Sequence, residues 1–188
     1  MLINAFAMLA GSGGAPRAAI FMGKKDNDTA EKIIGNCFTF IIICAVVLTA
    51  VFYVSAPQLL RWFGASDATL PYALSYARIY ILGSVFVLIV MAMNMFITTQ
   101  GFAKISMLTT VIGAVINIVL DPIFIFVFNM GVRGAALATV LSQAVGAVWI
   151  LHFLTGNKTI LRLKKANLRL DAKIIGPVSY THLRAHET

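Results

Sequence analysis

The sequence predicts an all-α, polytopic membrane bundle, and three observations carry that prediction. It is 60% hydrophobic and only 12% charged, where soluble chains carry about 25% charged residues. Its stretches without Lys or Arg repeat at a length that crosses a bilayer: 33–60, 79–103, 105–132 and 134–157, with one acid among them. Its basic residues are segregated. Arg17, Lys24, Lys25 and Lys32 precede the first window, Lys104 separates the second from the third, and Lys158, Arg162, Lys164, Lys165, Arg169 and Lys173 follow the last. Those alternate connections hold eleven cations, and the other two hold only Arg61, Arg78 and Arg133. Such a bias marks the rich side as cytoplasmic, so the net charge of +8 reports topology rather than nucleic-acid binding. Segment 158–173 can also meet anionic lipid.

The elements follow in order. The first 16 residues are uncharged but too short for a span, and no basic region precedes them as in a signal peptide. A partial helix over 1–22, whose start lies upstream, is the expectation. The glycines Gly11, Gly13 and Gly14 do not make a dinucleotide loop, because Pro16 takes the third glycine's place and no βαβ pattern surrounds them. Thr29 suits an interfacial helix start, and GNKT at 156–159 lacks the upstream glycine of a phosphate loop. Full spans are expected at about 33–58, 75–99, 105–128 and 132–154, with 158–177 a basic cytoplasmic loop. Cys37 and Cys44 stand about 10 Å apart along one helix, too far to bridge. Trp62 and Tyr72 fit an interfacial aromatic belt. In the second window Asn94 is the deepest polar residue, a weak candidate to line a substrate cavity and equally suited to an interhelical hydrogen bond.

The third window holds one ionisable side chain, Asp121. A carboxylate inside a membrane costs at least a few kcal/mol unless it faces a partner, an ion or water. Asn117 lies four residues earlier on the same face, and Gly113 four before that leaves room for another helix. Pro122 frees the carbonyl of Ile118 and loosens the helix beside the acid. A carboxylate, an amide and a spare carbonyl on one weakened segment suit a hard cation or a proton. Asp-Pro also caps helices, but the six apolar residues Ile123 to Phe128 argue against a loop there. In the last span Gly134, Ala138, Ser142 and Gly146 recur every four residues and let two backbones approach closely. The connection from Asp121 is short, so the last two spans should pack antiparallel, with Thr139 near the depth of Asp121. A lone Thr usually bonds its own i−4 carbonyl; its position opposite the acid is what singles it out.

The runs GSGGAPRAAIFMGKKDNDTAEKIIGN, NMFITTQG and INIVLDPIFIFVFNMGVRGAALATVLSQ resemble the multidrug and toxic compound extrusion (MATE) family of secondary transporters, over about residues 1–177. The resemblance implies a twelve-helix, two-lobe protein that exports organic cations in exchange for Na⁺ or H⁺. This chain would supply part of the six-helix N-lobe, from the end of helix 2 to the start of helix 7. Helix 1, with its partner acid, and the C-lobe would then be missing. The family's N-lobe cation site falls on Asn117, Asp121 and Thr139, with Ala135 giving a main-chain carbonyl.

After Pro177 the run VSYTHLRAHET turns polar abruptly and resembles adapter read-through in assembled sequence, so 178–188 is expected to be a non-native, disordered tail. His182 and His186 lack a third ligand for a metal. The expected function is cation-coupled export of small organic cations or neutral amphiphiles from a multi-pass position in the plasma (bacterial inner) membrane. No cofactor is expected beyond Na⁺ or H⁺ as coupling ion, and no metal beyond Na⁺ at Asp121. The partners are the bilayer, the substrate and the missing lobe, with no nucleic acid. A lipid-linked sugar flippase of the same superfamily is the alternative, disfavoured because the windows hold no cationic side chain. A non-transporting scaffold is another. An enzyme is not expected, since no nucleophile or metal-ligand cluster falls within the spans.

Overall fold

The computed structural model describes residues 2–171 together with Ile174 and Gly176; the tail expected over 178–188 lies outside the described residues. Among the described residues five α-helices form the bundle: α1 (Leu2–Gly23), α2 (Asn27–Trp62), α3 (Leu70–Thr99), α4 (Ala103–Pro122) and α5 (Val132–Thr155). Four stretches among these residues are long and apolar enough to cross a membrane: α2, α3, Ala103–Val127 and α5. The chain is thus an α-helical membrane protein. Helix α3 is central and packs against each of the other four.

Helix α1 runs through Gly11–Gly14 and Pro16, so its connection to α2 is only residues 24–26. That is shorter than the interval 23–32 left between the expected partial helix and the first expected span. Gly14 explains the close packing there: a Cβ would sit 2.6 Å from Cys37 Sγ and 2.8 Å from the Phe96 ring. Asp26 then starts α2, its carboxylate accepting the Thr29 N–H at 3.1 Å. This cap lets the helix begin before the apolar window, and α2 reaches about 54 Å at 36 residues. Both cysteines are free.

Pro122 leaves its mark on α4. The helix passes directly into a π-helical stretch, Ile123–Val127, as expected where a proline disrupts the i→i−4 ladder. The chain stays helical past Asp121 and turns only at 128–131, where Gly131 has φ 53°. Helix α5 then returns along α4 and α3. Its small residues Gly134, Ala138, Ser142 and Gly146 are all buried. A Cβ on Gly134 would lie 2.7 Å from the Phe124 carbonyl carbon, and one on Gly146 would lie 3.3 Å from Val90. The stripe therefore serves two neighbours, the π-helical stretch and α3.

The core is densest at the end of the bundle that carries the α1–α2 connection, called here the basic end. Ile33, Ile34, Phe96, Ile97, Ile150 and Leu154 are fully buried there. Residues 156–171 fold back across this end as a strap, and Leu161 of the strap is fully buried in the same core.

Candidate functional site

Asp121 lies 18 residues into α4, roughly 27 Å from Ala103 along the axis, in the half of the span far from the basic end. It is half-buried. Among the described residues its carboxylate accepts one hydrogen bond, from Asn117 Nδ2 to Oδ1 at 3.5 Å. The same amide nitrogen stands 3.5 Å from Thr139 Oγ1 on α5. Thr139 donates to the Ala135 carbonyl at 3.0 Å, and Ser142 Oγ donates to the Thr139 carbonyl at 2.8 Å. Thr139 thus makes the ordinary i−4 bond of a membrane helix and also faces Asn117 across the helix pair. All four residues singled out from the sequence, Asn117, Asp121, Ala135 and Thr139, join one cluster, with Asn117 the hinge between the helices.

The cause is local. Spacings of four put Asn117 and Asp121 on one face of α4, and Ala135 and Thr139 on one face of α5. Gly113 faces the Ser142 carbonyl, but a Cβ there would lie 4.0 Å from that oxygen, an ordinary contact, so the two faces meet without depending on this glycine. Among the described residues no three of His, Cys, Asp and Glu come together. One carboxylate with neutral oxygens around it is the donor set of a monovalent cation or a proton relay, not of a transition metal.

Two features escaped sequence reasoning. A cleft of about 250 Å³ between α3, α4 and α5 is lined by Asn117, Thr139, Ser142 and also Gln143; its position four residues after Thr139 was the available signal. Tyr76 of α3 stacks on Tyr80 with ring centroids 6.1 Å apart. Helix α3 starts early enough to take in Arg78, whose guanidinium sits 5.5 Å from the centroid of Tyr53.

Asn94 does not join Asp121. It lies toward the basic end, where its Nδ2 donates to the Ser106 carbonyl of α4 at 3.3 Å. Its Oδ1 is buried without a hydrogen-bond partner among the described residues. The residue also borders a cleft of about 600 Å³ between α1, α3 and α4. It therefore makes the interhelical bond and lines a cavity at once.

With this geometry in hand, comparison with known proteins decides the lineage. The MatE family model matches residues 1–123. The chain belongs to the MatE family. It is 29% identical over 160 residues to the multidrug export protein MepA of Staphylococcus haemolyticus, a match covering 85% of this chain and 35% of that protein. The chain thus spans about a third of the length of that curated relative. It superposes on an inward-facing multidrug resistance MATE family transporter of the MOP superfamily with a TM-score of 0.89 and 28% identity, covering 96% of this chain and 41% of that one. Against an outward-facing conformation the TM-score is 0.86 at 29% identity, over 94% and 39% of the two chains. The helical arrangement found here is therefore similar to one that both conformations contain, and it corresponds to part of an N-lobe.

Proposed function

We infer that the chain is part of a secondary transporter in the plasma membrane that exports drugs, organic cations or neutral amphiphiles in exchange for Na⁺ or H⁺. The basic end faces the cytoplasm, in keeping with the positive-inside bias. The observation that carries the reading is Asp121, a lone membrane carboxylate whose only protein hydrogen bond among the described residues is a long one from Asn117. The name of the staphylococcal relative, a multidrug export protein, supports the substrate class. It also supports a role without catalysis.

Asp121 supplies the charge in this mechanism. As a proton carrier it is neutral when loaded and anionic when empty. As a Na⁺ ligand it offers carboxylate oxygen, with Thr139 Oγ1 and the Ala135 carbonyl beside it. Turning the Asn117 amide over exchanges Nδ2 for Oδ1 at nearly the same place, so this side chain donates to a bare carboxylate and accepts a cation in its stead. The substrate competes with the ion as the two lobes alternate. A sugar-lipid flippase would call for cations along the cavity, and α4 beyond Lys104 and α5 beyond Arg133 carry none.

The test is efflux by the complete transporter. Asp121→Asn keeps the shape and removes the charge, so substrate binding should survive while release stops responding to the ion gradient. Full, gradient-responsive efflux by Asp121→Asn at normal expression would make the carboxylate structural.

A further inference from the structure

The strap at the basic end is built as a surface with two unlike sides. Residues 159–164 alternate: Thr159 and Leu161 are buried and Leu163 half-buried, while Ile160, Arg162 and Lys164 are exposed. This is the period of extended chain. The inner side is fastened by polar side chains of the helices. Gln100 Oε1 accepts from Thr159 Oγ1 at 2.8 Å, the Ile160 N–H at 3.0 Å and the Leu161 N–H at 2.8 Å. Glu31, nearly buried, accepts the Arg162 N–H at 3.1 Å and pairs with Lys164. Further along, the Asp171 N–H donates to Asn36 Oδ1 at 2.6 Å, and Thr39 Oγ1 donates to the Leu168 carbonyl at 2.7 Å.

With its inner side so bound, the outer side is held in one arrangement. Lys158, Arg162, Lys165 and Arg169 are exposed on it, and Asp171 at the far end is the one carboxylate of residues 156–171. Glu31 lies on the inner side, against the Arg162 N–H and Lys164. Two large apolar side chains also stand out, Ile160 at 45% and Leu170 at 46% exposure.

We propose that the outer side of the strap is a preformed docking surface for anionic phospholipid headgroups of the leaflet at the basic end. Charge complementarity is the first argument. Position is the second: the strap starts directly after Thr155, the last residue of a span. Its first cations therefore lie near the headgroup plane, within the roughly 8 Å over which surface charge is felt. The exposed Ile160 and Leu170 are the third, since apolar side chains beside cations suit the boundary between headgroup and acyl chain. An RNA or acidic protein would use the cations and leave those two side chains unexplained. This proposal is independent of whether Asp121 couples transport.

Native mass spectrometry of the 188-residue chain in neutral detergent tests it, with equal amounts of phosphatidylglycerol and phosphatidylcholine added. Phosphatidylglycerol should be retained preferentially. The combined variant Lys158→Gln, Arg162→Gln, Lys165→Gln alters exposed side chains outside the fastening bonds, and should cut that preference by roughly 10-fold or more. Gln100→Leu keeps every cation but frees the strap, and should lose part of the preference. Equal retention of the two lipids, or an unchanged preference in the triple variant, overturns the proposal. So does a full preference in Gln100→Leu, which would mean that charge acts without a preformed surface. Tighter retention of poly-glutamate or of an oligonucleotide than of phosphatidylglycerol also overturns it, in favour of a macromolecular partner.

Discussion

Two polar clusters in this bundle are bonded in opposite ways. At the basic end one oxygen of Gln100 receives three donors at 2.8–3.0 Å, and Glu31 is matched by both an N–H and a lysine. Around Asp121 the two bonds that link the residues across and along the helices are both 3.5 Å, the outer limit of a hydrogen bond. The first cluster has spent its capacity on the protein. The second keeps lone pairs on a carboxylate, a hydroxyl and a carbonyl. A buried polar group that serves structure is satisfied in place, whereas one that serves exchange must give up its partner at little cost. By this criterion Glu31 is a fastener, although it is the most buried acid among the described residues, and Asp121 suits the proposed role of exchanger.

Substitutions can break or sharpen the contrast. The largest stability effect is expected from Gln100→Leu. It strands two N–H donors, those of Ile160 and Leu161, each worth about 1–3 kcal/mol when buried and unpaired, while the Thr159 hydroxyl keeps the Leu161 carbonyl at 3.0 Å. The chain should melt at clearly lower temperature and be cut faster by trypsin at Arg162 and Lys164, whose backbone the parent holds fastened to the helices. Gly35→Val comes next. A Cβ at Gly35 would collide with the Asn167 carbonyl, so over-packing should cost about 1–3 kcal/mol and speed cutting at the same tryptic sites by loosening the strap. Thr139→Ala should lower stability by less than about 1 kcal/mol, since it loses one bond to its own helix and one long contact. Its effect belongs to ion response, which should weaken without vanishing, as seen in the gradient dependence of efflux by the complete transporter.

The smallest effect concerns Asp26. The Thr29 hydroxyl and N–H hold its carboxyl below the usual carboxylate value. A depressed folded value means the cap contributes above the unfolded value near 3.9. The contribution fades as pH falls through the folded value. Acid below about pH 4 should therefore loosen the start of α2, read as faster amide exchange at Thr29, while Asp26→Asn should remove that acid step.

The two clusters also differed in how far the sequence showed them. The Asp121 site was legible because its parts are near in sequence: Asn117 and Asp121 are four apart, as are Ala135 and Thr139, and one turn joins the helices. A lone acid in an apolar window draws the eye for a physical reason, the cost of burying it. The resemblance to known transporters pointed to the same residues. The spans themselves were visible as uncharged windows, although caps such as Asp26 and the π-helical stretch after Pro122 carried the helices past the window edges. The strap was legible only as a basic loop able to meet anionic lipid, without its fastened inner side. Its fasteners Glu31, Asn36 and Gln100 pair with residues 59–135 positions away, and one alternation of six residues is too short to reveal which side faces in. Gln143 and the Tyr76–Tyr80 stack were missed for a related reason: each is ordinary on its own helix, and Gln143 acquires meaning only in the cleft it shares with Asn117 and Thr139.

The central claim is that the loosely bonded cluster takes the ion and the saturated one does not. The most direct test is the melting temperature of the purified, complete transporter, followed against Na⁺ concentration and against pH in wild type, Asp121→Asn and Glu31→Gln. Wild type should shift with one of these ions, because binding to the folded state alone stabilises it. Glu31→Gln should start lower and shift by the same amount, and Asp121→Asn should not shift. An ion response that survives in Asp121→Asn and disappears in Glu31→Gln would contradict the account.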